Sequence, residues 1–231
     1  MNYKYVIFDV HGGMGKHIAA TAVLSNIKEA YPDSKIIVVA AWPRVFLNHP
    51  DCYRVYANGA LQYFYDDYIK DKDFLFLKSE PYHHTDYIKK ERHLIDVWTE
   101  QCGVNLVHTK PNLNLNIREQ QFYSNKYNIN KPTLIIQTNG GTNLPYAYSW
   151  TRDMHPSFVV NLLNILKQKY QILHIKNKEQ PVYGDDIISV TVDDIRELFG
   201  VLKIPAKKLL IDSFAQHACR SEEHTSELQS H

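Results

Sequence analysis

Directly after the apolar run Tyr3–Val10 the chain reads HGGMGKH, residues 11–17. Three glycines and a lysine between a strand-like run and a helical pattern describe a tight turn. Such a turn leaves the first backbone N–H groups of the helix unpaired, at the positive end of its dipole, and this makes a place for an anion. Gly13 and Gly15 allow close approach of a phosphate to the backbone, and Lys16 adds a charge. A magnesium-dependent phosphate loop would need a Ser or Thr hydroxyl where His17 stands, and imidazole is a poor ligand for that hard cation. Glycine is also favoured in any tight strand-to-helix connection. The two readings are compatible, and the chemistry expected at this turn is anion binding without a metal.

Positioning such a loop takes a parallel α/β framework, and the sequence has its pattern. Ile18, Ala19, Ala22, Val23, Ile27 and Ala30 carry helical spacing, which YPDS ends. Lys35–Ala41 reads as a second strand, PRVFLN as a short helix, Phe74–Leu77 as a strand and His84–Gly103 as one helix. Residues 105–132, rich in Asn and Lys, read as a connection between domains. The alternation then restarts: strand Thr133–Thr138, helix Pro156–Tyr170, strand QILHI, helix DDIRELFGVL capped by Asp193 or Asp194, and strand KLLID. Strand–helix alternation of this kind predicts parallel sheets covered by helices. The fold class expected is α/β, with two successive Rossmann-like domains at residues 1–125 and 126–219.

Composition narrows the function. The 231 residues, 44% of them hydrophobic, can bury a core, and a formal net charge of +1 gives no global field for nucleic acid or an acidic membrane. Cys52, Cys102 and Cys219 lack metal or disulfide-framework spacing. No apolar run approaches the ~18 residues of a membrane span, and the N-terminus does not read as a signal peptide. A protein of the cytoplasm, or peripheral to the inner membrane, with no cofactor, is expected. The last twelve residues, RSEEHTSELQSH (220–231), break with the Tyr-, Ile- and Asn-rich style before them. They resemble the translation of a common sequencing adapter and are expected to be foreign, which would leave the second domain incomplete.

Two families come into view. HGGMGKH is similar to the KGGxGKT loop of the partitioning ATPases, with His11 for the leading lysine and His17 for the hydroxyl residue. Over essentially Met1–Cys219, however, the chain resembles the family 9 glycosyltransferases, the heptosyltransferase-like enzymes. The stretch GGMGKHIAATAVLSNIKEAYPDSKIIVVAAWPRVFLNHPDCYRVY is similar to the family's opening strand, Gly turn, helix, YP stop and second strand. LIIQTNGG (134–141) resembles the strand and turn opening its donor domain, YSWTRDMHPSFVVNLLNIL the basic-plus-Trp-Pro entry to the next helix, and IRELFGVL…KKLLIDSFAQHAC the closing helix, strand and turn.

That resemblance implies two facing Rossmann-like domains of the GT-B type. It also implies transfer of a heptose-like sugar, without a metal, from a nucleotide-diphosphate donor (an ADP-sugar) to a glycan or lipid-linked acceptor such as a lipopolysaccharide core. Gly140, Gly141 and Arg152 become donor candidates, with Asp212, Ser213 and His217 at the turn after the last strand, where ligands of parallel sheets gather. The family's general-base aspartate aligns with Lys16. A protonated lysine cannot take a hydroxyl proton, so Asp9, His11 and His17 stand as substitutes, with Lys16 free to bind an anion. The alternatives are a P-loop-like ATPase and a non-catalytic nucleotide- or glycan-binding relative. Asp71–Asp73 (DKD) reads as solvated turn acids, and the cluster His83, His84, Glu91, His93 has no metal-ligand spacing.

Overall fold

The structure is a computed structural model, described here over residues 3–140, 152–191 and 194–219. The chain divides into two compact units, Met1–Asn114 and Leu115–His231. In the first, β1 (Tyr5–Val10) leads into α1 (Met14–Ala30), β2 (Lys35–Ala40), a 3-10 turn at Pro43–Phe46, β3 (Arg54–Ala57), α2 (Phe64–Tyr68), β4 (Phe74–Lys78), a second 3-10 turn at Pro81–His83, α3 (Thr85–Ile88) and α4 (Leu94–Gln101). The second unit continues with α5 (Ile117–Lys126), β5 (Thr133–Gln137), α6 (Pro156–Leu166), β6 (Gln171–Lys176), β7 (Ile187–Thr191), α7 (Ile195–Leu202), β8 (Lys207–Leu210) and α8 (Phe214–Cys219). Each unit has a four-stranded parallel sheet, ordered β3-β2-β1-β4 and β7-β6-β5-β8.

The central strands β1 and β5 are buried along their whole length, as continuous apolar runs in a two-sided sheet must be. α1 is buried from Lys16 to Ile27 on every face. It lies against α4 and beneath the segment after it. Asn26, fully buried, accepts the N–H groups of Val107 (2.9 Å) and His108 (2.6 Å) and donates to the His108 carbonyl (2.9 Å), while Thr21 Oγ accepts from Asn112 N–H at 2.8 Å. This strap has no strand ladder; buried side chains of α1 satisfy its backbone instead.

Three expectations are revised. The single helix at 84–103 is two, α3 and α4, because Lys90 takes φ 60° between them and His93 starts α4 as its N-cap. The patternless stretch 105–132 is part strap and part helix: α5 opens with a reciprocal capping box between Asn116 and Glu119. The division between units therefore falls at 114/115, before α5 rather than at its C-terminal end. The strands β3 and β7, absent from the sequence reading, each form one edge of a sheet, opposite β4 and β8.

α5 and α7 pack at Gly200, where an added Cβ would stand 2.6 Å from Tyr123 Cβ and run into the Tyr123 ring. Arg196 of α7, buried, donates from Nε and Nη2 to Glu119 at 2.9 and 2.7 Å. Replacing Gly200 by alanine is expected to destabilise the protein by about 1–3 kcal/mol, because Tyr123 Cβ is held by its own helix and cannot rotate away. Urea unfolding of the variant would measure this, and an unchanged midpoint would show that the helices separate freely.

Candidate functional site

In a parallel sheet, ligands gather at the carboxyl ends of the strands where the strand order reverses. In the first unit that point lies between β1 and β4. Their register sets Asp9 opposite Lys78, and Lys78 Nζ lies 3.1 Å from Asp9 Oδ2. His11, one residue past β1 and half-exposed, places Nε2 2.9 Å from either Asp9 oxygen. Its Nδ1 meets Asn58 Nδ2, beyond the end of β3, at 3.1 Å. With the Nε2 proton on Asp9, Nδ1 is the basic nitrogen, on the exposed side of the ring. Asp9 and His11, singled out in the sequence, are thus brought together; Asn58 and Lys78 are added by the topology and carry no local signal.

The turn itself differs from expectation. Gly12, not Gly13, needs to be glycine: its φ is +99°, and a Cβ there would sit 3.3 Å from Lys16 Cδ. Gly13 is the N-cap of α1, with ordinary extended backbone and open space where a Cβ would stand. Gly15 lies in the first turn. No side chain caps α1, and no acid stands in that turn, so its N–H groups keep the anion-binding character expected of them.

Lys16 is not part of that binding surface. Its side chain is 3% exposed and turns to Glu80 Oε2 at 2.7 Å, with the Trp98 and Tyr82 ring centres 5.2 and 5.7 Å from Nζ. A lysine committed beneath the helix does not reach outer phosphates, which removes the central feature of the ATPase reading. Glu80 is the N-cap of the second 3-10 turn. Burial raises its pKa, but the hydrogen bond and charge of Lys16, helped by Tyr82 N–H, outweigh this and leave it below the ordinary carboxylate value.

His17 is also withdrawn from the base candidates. Fully buried, it donates Nδ1–H to the Gly13 carbonyl (2.9 Å), and its Nε2 accepts from Ala41 N–H (3.1 Å). Burial lowers its pKa against opposing backbone hydrogen bonds. The neutral ring pins the Gly turn to the end of β2, with no nitrogen left for a substrate.

In the second unit the reversal lies between β5 and β8. Gly140, three residues past β5, donates N–H to Asp153 Oδ1 (2.7 Å), and its carbonyl accepts from Gln180 Nε2 (2.9 Å). A Cβ there would make only ordinary contacts, the Arg152 Cζ at 3.9 Å among them, so Arg152 does stand at this turn. Ser213 is buried, and its hydroxyl donates to Gln137 Oε1 while accepting from Ala215 N–H. It ties β8 to β5 and caps α8. Asp212 beside it is exposed, and His217 lies one turn along α8. Gly141 is outside the described residues.

The lesser candidates are placed as well. Asp71–Asp73 stands at the opposite, N-terminal end of β4, where the Asp73 carbonyl accepts from Lys4 and Tyr5. His84 and His93 cap α3 and α4 through their rings. Among the described residues no group of three or more His, Cys, Asp or Glu could hold a metal ion, and no helix is long and apolar enough to cross a membrane.

Two parallel four-stranded sheets of this order give a fold shared by solved glycosyltransferases. A glycosyl transferase family 9 protein from Veillonella parvula DSM 2008 superposes with a TM-score of 0.71 at 15% identity, over 95% of this chain and 78% of that one. The E. coli ADP-heptose LPS heptosyltransferase II gives 0.65 at 12% identity, over 94% and 82%. The E. coli heptosyltransferase WaaC with ADP gives 0.62 at 11% identity, over 94% and 84%. No protein-family model and no curated protein sequence matches the chain.

Proposed function

We propose that this protein is a glycosyltransferase that moves a heptose-like sugar from an ADP-sugar to a surface-glycan or lipopolysaccharide-core hydroxyl, without a metal. The observation that carries the reading is the fold, which follows solved glycosyltransferases, heptosyltransferases among them, over nearly the whole chain. The WaaC structures hold ADP or an ADP-2-deoxy-2-fluoro heptose, and this supports an adenine nucleotide as the donor's leaving part.

In this reading the second unit holds the donor around Gly140, Arg152, Asp212 and His217. The first unit takes the acceptor. An acceptor hydroxyl replaces Asn58 at His11 Nδ1 and gives its proton to that nitrogen as its oxygen bonds to the sugar carbon. The bond from that carbon to the diphosphate breaks, and ADP leaves. Asp9 holds the ring in the tautomer that leaves Nδ1 basic and compensates the imidazolium that forms. Open N–H groups of α1 steady anionic parts of the acceptor.

Thermal shift and isothermal titration test this on the full chain. ADP and ADP-sugars are expected to bind and raise the melting temperature in the presence of a chelator, and ADP-heptose turnover is expected only with a glycan acceptor. Strict dependence of binding on ATP with magnesium would sink the proposal in favour of an ATPase. Tight donor binding with no transfer to any acceptor would make the protein a binder.

A further inference from the structure

A histidine base open to water can deprotonate water as well as a sugar hydroxyl. An enzyme that transfers a sugar without hydrolysing its donor therefore has to control what reaches the basic nitrogen. The His11 side chain is half-exposed, with Nδ1 on its outer side. What stands there is the Asn58 amide, its Nδ2 at 3.1 Å. Because the Nε2 proton is committed to Asp9, Nδ1 can only accept, and Asn58 must present an N–H to it. That orientation leaves Asn58 Oδ1 buried and without a hydrogen-bond partner among the described residues. An unpaired buried acceptor costs an amount comparable to what one neutral hydrogen bond returns. The amide is thus held over Nδ1 by a small margin.

The backbone beneath it is fixed. Asn58 N–H donates to the Ala40 carbonyl at the end of β2 (3.0 Å), and Ala60 N–H donates to the Ala57 carbonyl (3.0 Å). Between them Gly59 takes a φ of +83°, a left-handed turn that suits glycine. The part free to move is the Asn58 side chain. Its rotation uncovers Nδ1 and brings Oδ1 to where a hydroxyl can donate to it.

We propose that Asn58 is a positioning residue that caps the base: its amide occupies His11 Nδ1 until an acceptor hydroxyl displaces it, and this protects the sugar donor from hydrolysis. The proposal rests on the reading of His11 as base and of an ADP-sugar as donor given above. In the reaction held back, a water oxygen bonds to the sugar carbon and its proton passes to Nδ1. The bond from that carbon to the diphosphate breaks, and free sugar and ADP leave. A sugar acceptor brings further contacts that offset the displacement of the amide, and a single water brings none.

The test is ADP release from ADP-heptose by the full chain with no acceptor present. Asn58→Ala is expected to release ADP roughly 5- to 10-fold faster than the parent, the factor that one net hydrogen bond of ordinary strength holds back. Asn58→Asp is expected to move the other way, by roughly tenfold or more, because a carboxylate holds the ring as a cation between two acids and removes the basic nitrogen. ADP affinity, from calorimetric titration, is expected to match the parent in both variants. If Asn58→Ala does not fold, Asn58→Ser carries the same comparison.

Equal ADP release by the parent and the alanine variant would overturn the proposal, as would a change of the same sign in both variants, which is what a merely structural role gives. Failure of the parent to bind ADP or ADP-heptose would overturn the glycosyltransferase reading and the cap with it.

Discussion

Replacing Asp9 by asparagine is expected to slow sugar transfer by roughly two to four orders of magnitude in kcat, with little change in donor KM. The expectation comes from the tautomer. Asp9 takes the Nε2 proton of His11 at 2.9 Å, which leaves Nδ1 as the base. An asparagine can turn its amide to donate to Nε2 instead, and the basic nitrogen would then face the interior. The fold should tolerate the change, because the Lys78 partner of Asp9 is largely exposed and an exposed ammonium returns to water at little cost. His11→Gln is expected to lose a similar factor, and the double variant no more than either alone, since the two act as one unit. A split between kcat and KM, with an unchanged melting temperature, separates this from a merely structural role. Full activity in both single variants would remove the pair from the mechanism.

Glu80→Gln is expected to cost about 3 kcal/mol of stability, measured by urea unfolding at neutral pH. Lys16 is 2% exposed and Glu80 is its carboxylate partner at 2.7 Å; the amide leaves the ammonium buried beside two aromatic rings, whose attraction is modest. The figure lies at the lower end for a broken buried pair because the Glu80 side chain is 44% exposed and water reaches it. Lys16→Met is expected to be nearly neutral, and to rescue Glu80→Gln when combined with it. The pH dependence has a definite sign. Glu80 is held below its ordinary value, so its contribution is present above the unfolded-state pKa of about 4.3 and is lost as pH falls through the folded value. The parent should therefore lose stability in acid below about pH 4 more steeply than Lys16→Met. Equal acid limbs would show that the pair contributes nothing.

Much of the framework is determined locally and can be read from the chain alone. β1, β2, β5 and β6 are apolar runs long enough to be central strands, and α1 and α6 have apolar spacing with proline at a boundary. A glycine turn between β1 and α1 is legible for the same reason, and with it an anion-binding helix end. The edge strands β3 and β7 are not: RVYA and IISVT are four and five residues long and only partly buried. The strap over α1 is not, since its backbone is satisfied by Asn26 and Thr21, more than eighty residues away in sequence. The start of α5 does carry a local signal, the capping pair Asn116 and Glu119, masked by the asparagines and lysines around it.

For the site, sequence alone determined residue types near strand ends: Asp9, His11, Lys16 and His17 in one unit, Gly140, Arg152, Asp212 and Ser213 in the other. Which of them face a ligand was decided by tertiary structure. His17 and Lys16, as near to the Gly turn in sequence as His11 is, are turned inward, because α1 is buried on every face from Lys16 to Ile27. His11 stays at the surface beside Asp9, and the parallel pairing of β1 with β4 supplies Lys78 and Glu80 from nearly seventy residues away. Local sequence sets strands, turns and helix ends through short-range propensity; the protonation, exposure and pairing of ionisable side chains depend on long-range packing, which no short stretch encodes.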